Sequence, residues 1–338
     1  MSKTVALVLG SGGARGYAHI GVIEELEARG YDIQCIAGCS MGAIVGGIFA
    51  AGKLQDYKKW VMGLDTFQVL RLLDVNFGLG AMRGSKVFGQ IEKMLGDITI
   101  EDLPIPFTAV ATDLANQQEI WFQEGSLLKA MRASAAIPSL FTPVLHGNRL
   151  LVDGGLLNPL PIVPVVSSHC DLIIAVNLAG NNHQRYPLPH IERPAPLKNK
   201  VNQLIERLGE FGQRWASRNG HTDVESLISD LRAELPEQQD TDSTANQPPD
   251  NSKLLTANAS SETKQVTPDN MLELVNHCFE TMQSALTQYK IAGYPPDLLI
   301  NIPKRVCRFY DFDKGPELIA LGRQIARDRL DQFENLNG

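Results

Sequence analysis

The chain has 338 residues, with 31 Lys and Arg against 38 Asp and Glu, a formal net charge of −7. That length makes one large α/β domain or two ordinary ones, and the acidic balance leaves no excess of cations to neutralise phosphates, which argues against nucleic acid as a partner. The five cysteines (Cys35, Cys39, Cys170, Cys278, Cys307) are odd in number and scattered without C-x-x-C spacing, so they read as reduced thiols and not as a zinc site. The N-terminal MSKTVALVLGSGG reaches glycine after a short apolar run, too short for a signal peptide. No apolar stretch approaches the ~20 residues that cross a bilayer. The expectation is a cytoplasmic protein that touches membrane only peripherally, at its inner face.

In chain order, TVALVLG is a continuous apolar run and predicts a buried strand. YAHIGVIEELEARG separates Ile20, Ile23 and Leu26 from Glu24, Glu25 and Glu27, which predicts an amphipathic helix stopped by Gly30. IQCIAG is a second strand, and MGAIVGGIFAAG a helix apolar nearly all round and therefore buried. FTAVATDL and EIWFQEG follow as strands, SLLKAMRASAAI as a helix closed by Pro138, and DLIIAVNLAG as another apolar strand. Short strands without polar alternation, joined by helices, predict a mostly parallel sheet with helices on both faces.

From about residue 181 the texture changes. A polar insertion over 181–270 carries an amphipathic helix at about 198–217 and a turn-rich stretch at about 236–268 that reads as a disordered loop. In the helix, Val201, Leu204, Ile205, Leu208, Phe211 and Trp215 share a face, which suits either the core or a lipid surface. MLELVNHCFETMQSALTQYKIAG then predicts a helix, PDLLINIP a strand and PELIALGRQIARDRLDQF a final helix, so one domain spanning 1–338 resumes after the interruption.

Three segments carry chemistry. Gly38, Ser40 and Gly42 spell G-x-S-x-G, the pattern of a nucleophile elbow, although a Ser there also suits a plain helix N-cap. Upstream, LGSGGARGYAHIG places Gly10, Gly12, Gly13 and Gly16 at the start of a helix, where backbone amides converge on negative charge. Arg at position 15 and the absence of an acidic strand end disfavour a dinucleotide site. The same amides would instead form an oxyanion hole beside the elbow, with Arg15 adding charge. Third, Asp153 ends the apolar run of NRLLVDGGLLNPLP, before Gly154 and Gly155, where a tight turn is the simpler reading. A Ser nucleophile needs a base, yet His169, His183, His190, His221 and His277 all have poor contexts for one. No EF-hand loop is present, and no metal or cofactor is expected.

GSGGARG, GCSMG, RASAAIPSLFTPV and DGG occur in the order and spacing of the patatin-like phospholipases. The chain resembles in particular the bacterial branch related to the neuropathy-target-esterase catalytic domain. The resemblance covers 3–178 and resumes at PPDLLINIP, leaving the insertion unexplained; Ser11 stands where the family often has Gly. It implies a three-layer α/β sandwich and a Ser40–Asp153 dyad without histidine, with an oxyanion hole from Gly12, Gly13, Ala14 and Arg15. The implied activity is hydrolysis of phospholipid or lysophospholipid esters through an acyl-enzyme, for which burial in LLVDGGLL would have to lift the Asp153 pKa toward neutrality. A transacylase and a regulatory binding module on the same fold are the alternatives.

Overall fold

The computed structural model describes residues 3–73, 84–138, 141–180, 186–191 and 271–337. The expected helix at about 198–217 and loop at about 236–268 lie outside them.

The described strands form one eight-stranded sheet. Its central part is parallel: β1 (Thr4–Leu9) pairs with β2 (Asp32–Cys39) on one side and β7 (Leu172–Gly180) on the other, β2 pairs with β3 (Phe107–Asp113), and β7 with β8 (Leu298–Pro303). At the far side, β3 takes β4 (Gln118–Phe122) and β6 (Arg149–Asp153) antiparallel, and β5 (Val144–His146) closes a hairpin with β6. EIWFQEG was expected as a strand, but the antiparallel pairing of this margin was not foreseen. Its strands are short and partly solvated, so they lack the continuous apolar signal of β1 and β7.

Side chains of β1 alternate between two dry interiors. Val5, Leu7 and Leu9 join the larger core, which also holds Ile20, Ile23 and Leu26 of helix α1 (Ala18–Ala28) and Ile44, Val45 and Ile48 of α2 (Met41–Ala50). Ala6 and Val8 face a smaller core with Ala37, Leu160, Ile162 and Ala175. Burial on both faces is why these strands show no polar alternation.

Two features depart from the expected pattern. Glu25, read as solvent-facing, is buried, because the C-terminal helix packs along α1 and brings Arg327 to within 3.4 Å of it, opposite Arg29 at 3.1 Å. Helices at Leu54–Met62 (α3), Thr66–Leu73 (α4) and Ser85–Leu95 (α5) fill a stretch for which no element was predicted. The other α-helices among the described residues are α6 (Leu127–Ser134), α7 (Met271–Gly293) and α8 (Gly315–Asn337). No described helix is long and apolar enough to cross a membrane.

Candidate active site

The buried strand β2 delivers Ser40 at its carboxyl end, with φ 57° and ψ −123°. A non-glycine residue in that region is strained and persists only where its surroundings over-determine it. They do so here. The Ser40 carbonyl accepts from the amides of Ala43 (2.9 Å) and Ile44 (3.1 Å) to start α2, and a Cβ at Gly42 would run into the Leu9 carbonyl, so the helix start lies directly against the end of β1. The Ser40 amide donates to Ser134 Oγ at 2.9 Å, and that hydroxyl donates to the Val110 carbonyl at 2.6 Å. The Ser40 side chain makes no cap hydrogen bond. Of the two readings of G-x-S-x-G, the geometry is that of an elbow.

Asp153 ends β6 and is buried. Its own amide donates to the Ala136 carbonyl at 2.9 Å, and its Oδ1 accepts the Gly155 amide at 2.7 Å. A Cβ at Gly154 would collide with the Val110 carbonyl, so the turn is held against β3. Among the described residues, neither Asp153 Oδ2 nor Ser40 Oγ, both buried, has a partner that meets hydrogen-bond geometry. Burial raises the Asp153 pKa to about 7, against the opposing influence of the Ser40 hydroxyl and the Gly155 amide. A carboxyl poised there exchanges a proton with a hydroxyl at neutral pH.

The glycine-rich turn connects β1 to α1 alongside. Gly10 donates to the Val176 carbonyl (3.0 Å) and Ser11 to the Pro159 carbonyl (2.8 Å). Among the four residues read as an oxyanion hole, Ala14 commits its amide to the Phe309 carbonyl at 2.8 Å. Arg15 commits its guanidinium to the carbonyls of Gly12 and Lys304 and to Glu280, with N to O distances of 3.1, 2.9 and 2.6 Å. A buried guanidinium has to satisfy its donors locally, so Arg15 braces the turn instead of presenting free charge. The amides of Gly12 and Gly13 have no backbone acceptor among the described residues. Beneath the turn His19 Nε2 lies 2.9 Å from the Gly10 carbonyl, which can only accept, so Nε2 carries the hydrogen. Burial lowers the His19 pKa to about 4, and the ring is neutral at pH 7.

Cys39 is buried beside Asp153, its Sγ 4.0 Å from Oδ1. Burial, followed by the Asp153 and Glu119 charges, raises its pKa well above the usual thiol value, so it stays protonated. On the α2 side, Met41 borders an apolar cavity of about 50 Å³ with Ile44, Phe88, Ile137, Phe141 and Phe312. Among the described residues no three His, Cys, Asp or Glu side chains converge as metal ligands.

A family model described as patatin-like phospholipase matches residues 7–166. An uncharacterized NTE family protein of Mycobacterium tuberculosis is 40% identical over 338 residues, covering 98% of this chain and 93% of that one. The chain belongs to the patatin-like phospholipase family. Patatin-like phospholipase domain-containing protein 6 of Mus musculus is 31% identical over 188 residues, 53% of this chain and 14% of the mouse protein. The crystal structure of VipD from Legionella pneumophila aligns with a TM-score of 0.49 at 15% identity, over 98% of this chain and 67% of that one.

Membership of the patatin-like phospholipases makes the chain a lipid hydrolase by family. It also gives physical content to a segment that the sequence offered only as a likeness: in RASAAIP, Ser134 holds the Ser40 amide and Ala136 the Asp153 amide. Sequence reasoning did not single out Ser134, His19 or Gln283. Gln283 of α7 donates to Ser11 Oγ at 3.2 Å and abuts Gly155. His19 carried a faint signal, a lone polar residue on the apolar face of α1. Gln283 carried none, because α7 is far away in the chain.

Proposed function

We propose that the chain is a serine acyl hydrolase that cleaves carboxylic esters of phospholipids or lysophospholipids through a Ser40–Asp153 dyad. The observation that carries this reading is the pairing of a strained, buried Ser40 with a carboxyl whose pKa is raised to about 7. Ser40 Oγ attacks the ester carbonyl carbon while its proton passes to Asp153 Oδ2. The developing oxyanion is held by the Gly12 and Gly13 amides. Collapse breaks the bond to the alkoxy oxygen, which takes the proton from Asp153 and leaves as the alcohol. Water then attacks acyl-Ser40, gives its proton to Asp153, and the acid departs as Ser40 recovers that proton.

The apolar cavity at Met41 supports an acyl subsite. At about 50 Å³ it is under two water volumes, so a long chain requires α3, α4 and α5 to part. Trp60, Leu64 and Leu72 join that cavity to an open groove bordered by Lys59 and Lys93, beside the exposed Phe67. Apolar rings with neighbouring cations favour peripheral contact with an anionic lipid surface on this side.

The test is fluorophosphonate labelling combined with a lipid panel read by mass spectrometry, for wild type and Ser40→Ala. Labelling and release of free fatty acid that both vanish in Ser40→Ala bear the reading out. A folded Ser40→Ala protein with wild-type turnover overturns it.

A further inference from the structure

A second cavity, of about 200 Å³, lies between α7 and the carboxyl ends of β7 and β8. Its polar lining is Asn177, Asn301, Ser284, Thr287 and Gln288, and no charged side chain borders it among the described residues. Thr287 is 4% exposed, yet its hydroxyl has no hydrogen-bond partner among the described residues, nor do the side chains of Ser284 and Gln288. The Thr287 hydroxyl is open to the cavity and has no partner among the described residues, so it can hydrogen-bond to an occupant of the cavity. The amides opposite are pre-set: Asn177 Oδ1 accepts from the Ala179 amide (2.9 Å) and its Nδ2 donates to Asn301 Oδ1 (2.8 Å), with Asn301 itself exposed. Leu299 and Ile291 supply an apolar floor.

The cavity opens at the same carboxyl edge of the sheet as Ser40, and two of its lining residues directly follow residues that touch the candidate site. Asn177 directly follows Val176, whose carbonyl holds Gly10, the start of the glycine-rich turn. Ser284 directly follows Gln283, which touches Ser11 and Gly155. Asn177 alternates with Val176 and Leu178, both in the larger core, so its side chain is on the sheet face opposite the apolar cavity. The two cavities thus lie on opposite faces of the sheet, one apolar and one polar.

We infer that the cleft under α7 is a subsite for the hydroxyl-bearing alcohol portion of the ester, a glycerol unit or a sugar. Hydroxyls both donate and accept, which matches a lining of amides and hydroxyls, while the C–H face of a polyol suits the Leu299 and Ile291 floor. A phosphate would find no cation there. The inference rests on the proposed ester hydrolysis, with the apolar cavity taking the acyl group.

The experiment compares a monoacylglycerol, a monoacyl hexose and the methyl ester of the same acid, for wild type, Thr287→Val and Thr287→Ser. Thr287→Val keeps the shape of the side chain and removes its hydroxyl. It should lower the kcat/KM ratio of polyol ester to methyl ester about fivefold, the loss of one neutral hydrogen bond, and Thr287→Ser should restore the ratio. A drop confined to the glycerol arm or to the hexose arm names the source. An unchanged ratio in both arms overturns the inference and leaves the cleft to water. Independently of turnover, saturation-transfer NMR with glycerol and with methyl glucoside on Ser40→Ala should show contact that the additional Thr287→Val change abolishes. If no ester is hydrolysed but that contact is seen and lost in this way, the proposed function fails while the subsite stands; absence of contact with both probes overturns the subsite.

Discussion

Ser134 Oγ accepts the Ser40 amide at 2.9 Å and donates to the Val110 carbonyl at 2.6 Å, tying the strained residue of the elbow to a strand that does not border it in sequence. All three groups are buried, so truncating the hydroxyl leaves a buried donor and a buried acceptor unpaired. Ser134→Ala should cost about 1–3 kcal/mol in denaturant unfolding. It should also lower kcat by about tenfold or more while KM changes little, because the elbow loses a constraint that positions Oγ. A variant equal to wild type in both would show that α2 alone holds Ser40.

Asp153 is the group on which the proposed mechanism depends. Asp153→Asn keeps the shape of the turn and should remove turnover by roughly 10² or more. His169→Gln and His277→Gln should remain active. The kcat/KM of the wild type should rise with pH through about 7, as Asp153 becomes able to accept the Ser40 proton. A pH profile flat between 5.5 and 8.5 with intact activity would remove Asp153 as the base.

The same carboxyl sets a stability profile with a definite sign. Its folded pKa of about 7 is above the ordinary carboxyl value, so the fold favours the protonated form. The stabilisation is fully present below about pH 4 and is lost as pH rises through about 7. His19, lowered to about 4, acts in the opposite sense: its contribution is present above about pH 6.5 and is lost as pH falls toward 4. In the wild type the two slopes oppose each other between about pH 4 and 6.5. Asp153→Asn should expose the His19 slope, with stability rising over that range, and should be more stable than wild type at pH 8. Urea unfolding of both proteins at pH 4.5, 6 and 8 decides this.

His19 positions the glycine-rich turn through the Gly10 carbonyl. His19→Phe removes the donor and should lower kcat with little change in KM. His19→Gln returns an Nε2 donor at similar reach and should recover most of the loss. Equal impairment of both variants, matched by equal loss of stability, would limit His19 to packing.

In the proposed acyl subsite, the Ile44 side chain borders the apolar cavity. Ile44→Phe narrows that space and should move the preferred chain toward shorter acids by a few carbons, as read from the kcat/KM of a series of p-nitrophenyl esters. Retention of the wild-type preference would direct the acyl chain elsewhere.

Local pattern was enough for the centre of this molecule. The unbroken apolar runs of β1 and β7 and the all-apolar α2 could only be buried, and Gly38 and Gly42 around Ser40 signalled a turn too tight for side chains. The antiparallel pairing of the margin escaped because strand direction leaves no local signal, and α3, α4 and α5 escaped because these partly solvated helices show no single period. The site divides in the same way. Ser40 and the glycine-rich turn stood out as candidates because each occupies a local motif whose backbone geometry restricts its composition, whereas Asp153 sat in what read as an ordinary tight turn and became a candidate only through the family resemblance. The commitment of Arg15 to Glu280, the hold of Ser134 on Ser40 and the cleft under α7 depend on which distant segments meet. Only the packed tertiary structure decided those partners, because a buried polar group takes whichever donor or acceptor the fold brings within about 3 Å, however far away in the chain it begins.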